Sequence, residues 1–393
     1  MLLTALVFLL ILSVLVLIHE LGHFLVAKKL NIKVEEFGFG LPPRVFGIKR
    51  GETIYSINWL PIGGFVKLYG EDDAGAGKVS AKRIAQSEKP KALARAFYAR
   101  PVGQRAAVVV AGVVMNTLLA IVIFYIFMGV SGFRAQLPLL KDHIFYFANT
   151  SIKTDILISQ VQKDSPAAKI GLPQYAQIVS LNTIKPSTPE EFTSIIKKSQ
   201  GKELSITWID PNTHKKTTKS AVPRVNPPKG QGALGVSLFG ARSAILNYET
   251  PVQKVFSGIT HPINLLLYNF DLIGSLIKSA VRDHNATALG EGVAGPVGIY
   301  SLVGTIVQIP NIKERTLELL NLAGILSISL AFFNVLPIPA LDGGRLFFIL
   351  IEGVTRRKVN PKYETLAHTI GMAVLLLLIV LITFKDIFQF VIK

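Results

Sequence analysis

His19-Glu20-Leu21-Gly22-His23 ends an apolar run that starts at Met1 and is almost unbroken to Ile18. The run is close to the roughly 20 residues a helix needs to cross a bilayer. No Lys or Arg precedes it, and it exceeds the roughly 7–15-residue core of a signal peptide. It also continues through His19 to Ala27 without a convincing small-residue cleavage site. A retained first transmembrane helix is therefore expected. On that helix His19 and His23 lie one turn apart on one face. Two neutral imidazoles so placed can grip a zinc ion, and the intervening Glu20 can act on a water beside it. The pattern alone is a weak signal, but its depth strengthens it. A charge at the bilayer centre costs at least about 2.5–3.5 kcal/mol, so three ionisable groups there need a compensating partner, which a metal supplies.

Composition agrees with a membrane setting. Of 393 residues, 50% are hydrophobic and only 17% charged, against about a quarter charged in soluble proteins. The net charge is +17. The basic residues flank apolar segments, and no Arg-rich stretch interleaves with aromatics, which points to anionic lipid rather than nucleic acid. There is no cysteine, so disulfides and thiolate ligands are excluded and any metal must use His, Asp, Glu or water.

Three further apolar segments follow, near 106–130, 319–350 and 367–384. Lys28, Lys29 and Lys33 follow the first, Arg95, Arg100 and Arg105 precede the second, and Arg356, Arg357, Lys358 and Lys362 fill the last short loop. The positive-inside rule makes those loops cytoplasmic, so four crossings put both termini and the long middle loop outside. Short apolar and aromatic runs split by Gly and Pro, Phe37-Gly38-Phe39-Gly40 and Asn58 to Lys67, predict β-hairpins in the first loop. Residues 70–95 read as a polar, flexible or helical segment.

In the middle loop, strands are expected at Ile156 to Val161, Gln177 to Leu181 and Glu203 to Ile209, with helices at Ser165 to Ile170 and Pro189 to Lys198. That is a small α+β domain. Apolar residues from Val252 to Ile277 recur at helical spacing, which suits either a helix packed on that domain or one on a membrane surface. The expected division is 1–30, first helix with the metal motif; 31–103, hairpin loop; 104–131, second helix; 132–248, external domain; 249–317, amphipathic connector; 318–352, third helix; 353–365, short loop; and 366–393, fourth helix.

Zinc wants a third protein ligand and an open position. The one other carboxylate in a comparable apolar setting is Asp342, in Asn334-Val335-Leu336-Pro337-Ile338-Pro339-Ala340-Leu341-Asp342-Gly343-Gly344-Arg345. Two prolines and two glycines break this span, and broken backbone at membrane depth is tolerated only where protein buries it or it lines a watery cavity. Asp342 is thus the expected third ligand. The competing expectation is a kinked helix whose Asp342 pairs with Arg345. The other histidines, His143, His214, His261, His284 and His368, have no partner at ligand spacing and read as ordinary polar or packed side chains.

His19-Glu20-Leu21-Gly22-His23 and Leu341-Asp342-Gly343-Gly344 resemble the two signatures of the site-2 protease family of bacterial intramembrane zinc metalloproteases. Pro61 to Lys67 resembles its membrane-entering hairpin, and Gly295-Pro296-Val297-Gly298-Ile299 its Gly-Pro segment before the third helix. Ser165 through Asn182 resembles its PDZ domain. The resemblance spans nearly the whole chain, and its closest type activates an envelope-stress sigma factor. It implies a polytopic α-helical membrane protein of four transmembrane helices, with a membrane-associated β-hairpin insertion and a PDZ-like extracytoplasmic domain. It also implies a bacterial plasma-membrane endopeptidase with Zn2+ on His19, His23 and Asp342, and Glu20 as proton carrier. Asn334, Gly63, Gly64 and Phe65 would bind substrate. The partners implied are membrane proteins with a transmembrane segment, such as anti-sigma factors or signal-peptide remnants, in some cases pre-trimmed by another protease, together with the bilayer and no nucleic acid. Departures occur at Val113 and Thr117, where the family usually has Pro and Phe, and at Tyr175-Ala176, where Gly-Asp is usual. Two rivals belong to other classes: a catalytically silent PDZ-bearing membrane scaffold, and a transporter built on broken helices.

Overall fold

A computed structural model describes residues 1–71, 94–211, 213, 215–282 and 295–388. The polar segment expected over 70–95 falls almost wholly outside the described residues. The chain divides into two units, Met1–Gly132 with Lys254–Lys393, and Phe133–Gln253.

Among the described residues, the first unit holds four helices long and apolar enough to cross a membrane. They are α1 (Leu2–Lys29), α2 (Val102–Ser131), α7 (Ile312–Val335) and α9 (Pro361–Ile387). The expected third span is two helices, α7 and α8 (Asp342–Thr355), separated by the proline segment. Helix α2 is the hub, packing on α1, α7 and α8. Small residues permit the close approach, as in membrane bundles generally. A Cβ at Gly22 would sit 2.4 Å from the Ala111 carbonyl oxygen, and one at Gly324 2.7 Å from the Phe124 ring. The Ser327 hydroxyl donates to the Asn116 carbonyl at 2.8 Å, and a buried Arg105–Glu352 ion pair (2.9 Å) ties α2 to α8.

A short helix, α6 (Pro296–Val307), gathers both chain ends. Phe8 of α1 meets Tyr300 edge to face at 5.8 Å. At the far end of α9, the buried Asp386 carboxylate accepts from the backbone N–H groups of Gly295 (2.9 Å) and Gly298 (2.7 Å). The start of α1 and the end of α9 therefore lie on one side of the unit, as an even number of crossings requires.

Strands β1 (Val34–Arg50) and β2 (Thr53–Leu68) form a sheet beside α1. They are longer than the expected hairpins, and both fold back. Phe37 has Tyr55 on one side and Val66 on the other. Gly64 to Leu68 is thus an outer edge, and no described strand lies beyond it. Two anchors fix the sheet. In its turn, Glu52 accepts from both terminal nitrogens of Arg95 (2.7 Å each) and from Lys28 (3.1 Å). Arg95 holds the Glu52 carboxyl down near 2 from its ordinary 4.5. At the other end, the Ser13 hydroxyl donates to the Pro61 carbonyl at 2.9 Å. Lys28 and Ser13 are roughly 22 Å apart along α1 at 1.5 Å per residue, so the sheet follows the helix from its basic end to its middle.

Helix α5 (Pro251–Arg282) inverts the soluble pattern. Its polar residues Ser257, His261 and Asn264 are buried, while Val255, Phe256, Ile259, Ile263 and Leu267 are exposed. The buried face rests on spanning helices: Tyr125 of α2 donates to the Val255 carbonyl at 2.5 Å, and Phe270 meets Phe332 of α7 at 4.3 Å. An outward apolar stripe over an inward polar face suits a lipid surround.

The second unit is a six-stranded sheet ordered β3-β8-β4-β5-β6-β7. Its strands are β3 (Arg134–Pro138), β4 (Asn149–Val161), β5 (Gln177–Leu181), β6 (Leu204–Ile209), β7 (Lys216–Ala221) and β8 (Val236–Asn247). Two helices cover it, α3 (Pro166–Lys169) and α4 (Pro189–Lys198). Each is capped by a hydroxyl, Ser165 accepting from Ala168 and Thr188 from Glu191. Phe192, Ile206, Trp208 and Leu234 anchor the core. Tyr175 stands at φ +63°, the left-handed region that favours glycine, so the departure at Tyr175-Ala176 keeps the turn that a glycine would make.

Candidate metal centre

Helical spacing brings His19 and His23 to one face of α1, with their Nε2 atoms 3.2 Å apart. Asp342 reaches them from the first turn of α8, its Oδ2 lying 2.9 Å from His19 Nε2 and 3.2 Å from His23 Nε2. Zinc bonds of about 2.0–2.1 Å in tetrahedral array put neighbouring ligand atoms roughly 3.3 Å apart, close to this spacing. His19, His23 and Asp342 form a cluster able to hold a metal ion.

The outer partners decide which nitrogens face inward. His23 Nδ1 lies 2.8 Å from the Val108 carbonyl oxygen, so its N–H is there and Nε2 keeps its lone pair. The Asn116 amide lies 3.3 Å from His19 Nδ1, and Asn116 Oδ1 is buried with no hydrogen-bond partner. A half-turn of the amide sets Oδ1 against a His19 Nδ1–H, which satisfies both. Two imidazole lone pairs and a carboxylate then converge on one point. That arrangement is repulsive without a cation between them, so the donor set suits a divalent metal. Gly112 makes room for it, since a Cβ there would sit 2.5 Å from His23 Nε2.

The loop from Leu336 to Leu341 delivers Asp342. It turns so tightly that a Cβ at Gly343 would meet the Leu336 carbonyl oxygen at 2.0 Å, and one at Gly344 the Ile338 oxygen at 2.4 Å. Both glycines are therefore structural requirements. Ala340 takes φ +81°, a conformation costing on the order of 1–3 kcal/mol for a non-glycine residue. Arg345 pairs with Glu71 rather than Asp342, which removes the kinked-helix alternative in which Asp342 and Arg345 are partners.

A cavity of about 620 Å³ opens on this centre, lined by Glu20, His23, Phe65, Val66, Asp342 and His368 among others. Glu20 faces the outer β-edge, its Cγ lying 3.6 Å from where a Gly64 Cβ would be. Gly63, at φ +80°, stands against Val16. Asn334, buried at the end of α7, brings Nδ2 within 3.5 Å of His19 Nε2. Glu20, Phe65 and Asn334 thus stand beside the His19–His23–Asp342 cluster, while Gly64 lies behind Glu20 and Gly63 lies against Val16 of α1. Asn116 matches the recurrent Asn of the family's second helix and is a polar residue in an apolar span, but only the packing of α2 sets it against His19. His368, expected to be an ordinary polar or packed histidine, lines the cavity because α9 packs there.

In the second unit, a groove of about 770 Å³ runs between α4 and β8, lined by Thr193, Lys197, Val236 and Leu238.

The model of peptidase family M50 matches residues 7–378. A Clostridium perfringens protein with a provisional zinc metalloprotease name is 32% identical over 375 residues, covering 95% of this chain and 96% of that protein. "Zinc metalloprotease RasP" of Oceanobacillus iheyensis is 27% identical, covering 98% of each chain. "Regulator of sigma-W protease RasP" of Bacillus subtilis is 27% identical, again covering 98% of each. Among solved structures, the PDZ domain of an SdrC-like protein from Listeria monocytogenes aligns at 18% identity and a TM-score of 0.19, covering 25% of this chain and 93% of that one.

Proposed function

Because the chain belongs to peptidase family M50, we propose that it is an intramembrane zinc endopeptidase of the site-2 type, which cuts membrane proteins within or beside their transmembrane segments. The observation that carries this reading is the convergence of His19, His23 and Asp342 beside Glu20 and an open β-edge. Zinc, when bound, polarises a scissile carbonyl and makes a nearby water more acidic. His19 and His23 hold it through Nε2, oriented by Asn116 and the Val108 carbonyl, and Asp342 supplies the negative charge. The Glu20 carboxylate takes the proton of the attacking water and passes it to the leaving nitrogen. Asn334 steadies the substrate backbone beside His19.

A helical substrate shields its amides, so the cut segment must be extended. The edge Gly64 to Leu68 can receive such a segment by strand addition, and its place next to Glu20 supports that role. The basic loops support a bacterial plasma-membrane orientation with both termini outside. On that orientation the second unit is extracytoplasmic and PDZ-like, and it selects substrates, including ones already trimmed by another protease. Regulated intramembrane proteolysis is the process this fits. The silent-scaffold reading loses ground, since a scaffold has no use for this costly buried cluster.

The test is purification in detergent, metal analysis and cleavage of a model transmembrane substrate, with Glu20→Gln as control. We expect about one zinc per chain in both proteins and loss of cleavage in the variant by at least about a hundredfold, the lower reach of general-base effects. Near-normal turnover by Glu20→Gln would end the mechanism.

A further inference from the structure

We propose that His368 is a positioning residue for the metal centre: it holds the backbone N–H of Ala340 and so fixes the loop that presents Asp342. This rests on the reading of His19, His23 and Asp342 as metal ligands.

Helix α9 is the most exposed of the four spanning helices, and Leu366 and Ile370, flanking His368, are each more than half exposed. His368 is instead buried, at 5%, as Glu364 and Asp386 of the same helix are. Its Nδ1 accepts from the Ala340 N–H at 3.0 Å. The loop has few backbone donors to spend, because Pro337 and Pro339 have none. Ile338 N–H bonds back to Leu336 and Leu341 N–H to Ile338. Ala340, at φ +81°, points its N–H out of the loop to α9. One turn further along the same face, a Cβ at Gly371 would sit 2.6 Å from both Cβ and the carbonyl oxygen of Pro339. An acceptor and a gap, three residues apart on α9, thus grip adjacent loop residues two and three positions before Asp342. A positive φ in a non-glycine residue persists only where its surroundings over-determine it, and these two contacts do so. The carboxylate position is then set by α9 as well as by its own helix.

The full-length protein in detergent tests this with three substitutions. Asn places its Oδ1 where His has Nδ1, so His368→Asn keeps the acceptor, whereas His368→Leu removes it. Gly371→Ala keeps the acceptor but closes the gap. Alanine favours a helix over glycine, so a purely structural effect of Gly371→Ala would be stabilising. Three readouts are followed: zinc retained under a fixed chelator challenge, the visible spectrum of the cobalt(II)-substituted protein, and kcat and KM on a model transmembrane substrate. Loss of an outer partner of a metal site costs about 10–100-fold. We expect His368→Leu and Gly371→Ala to lose zinc faster by that factor, to weaken the four-coordinate cobalt spectrum, and to lower kcat with KM little changed. His368→Asn should restore all three towards wild type. Wild-type zinc retention, cobalt spectrum and kcat in His368→Leu would overturn the proposal, as would a His368→Asn variant no better than His368→Leu. A wild-type protein that binds no zinc would instead overturn the metal-site reading beneath it.

Discussion

Three ligand atoms within 3.2 Å of one another make the charge of Asp342 decisive. Without its carboxylate, two neutral imidazoles remain, fewer ligands than a zinc site normally has. Asp342→Asn should therefore weaken zinc binding beyond the roughly 10–100-fold typical of an outer-shell change, with activity lost. Zinc titration against a competing chelator reads this directly, and undiminished affinity would remove Asp342 from the ligand set. Asn116 acts one step out. Its only described side-chain partner is His19, and Asn116→Ala leaves the His19 ring free to turn. We expect a loss of about 10–100-fold in zinc affinity with the helices intact by circular dichroism. Unchanged affinity would show that packing alone orients His19.

Among the elements, the β1–β2 sheet has the most conditional position, because a polar network holds its turn. Arg95, and secondarily Lys28, hold the Glu52 carboxyl near 2, below its ordinary 4.5. A depressed carboxylate contributes stability above its unfolded value and loses it as pH falls through the folded one. The turn should then be protected near neutral pH and loosen between about 4.5 and 2. The network is partly exposed, so salt should weaken it as well. Hydrogen exchange of residues 50–54 across that range, in wild type and Glu52→Gln, measures the effect. Equal pH dependence in the two proteins would place the transition elsewhere. Helix α5 makes a different point at this scale. Its polar side is its buried side, so its apolar periodicity alone could not say whether lipid or protein covers the stripe.

For the molecule as a whole, every proposed ligand, the proton carrier and the β-edge belong to the first unit. A deletion confined to Ile156 to Val225 would cut β4 in half and remove β5, β6 and β7 from the sheet that β3 and β8 complete, so the clean cut removes Phe133–Gln253, replaced by a short flexible linker. The expected outcome is a protein that keeps its zinc but no longer prefers substrates with trimmed outer domains. Paired cleavage assays on full-length and trimmed substrates read the preference. If it survives the deletion, selection lies in the first unit. Loss of zinc would show that the second unit is needed to assemble the first.

Much of this was legible in the residues themselves because it is local. Apolar length announced the spanning helices, and helical spacing joined His19 to His23. Two prolines and two glycines marked the break that carries Asp342, and short apolar runs located β5, β6 and the second half of β4, though not β3, β7 or β8. Contacts between distant segments were mostly not legible. That Asp342 joins His19 and His23 was expected from its apolar setting and broken backbone, but the 323 residues between His19 and Asp342 carry no periodic signal of how they meet, which depends on α2 packing through Gly112 and Gly324. Arg345 could have paired with Asp342, three residues before it, and only the folded chain sends it to Glu71. His368 looked like any packed histidine until α9 came to rest on the Ala340 loop. Sequence by itself determined which groups were available and on which face of each helix they stood. Tertiary structure decided which of them share a point in space, because lone-pair convergence, amide orientation and backbone grip are set at a few ångströms by contacts that no short window of sequence contains.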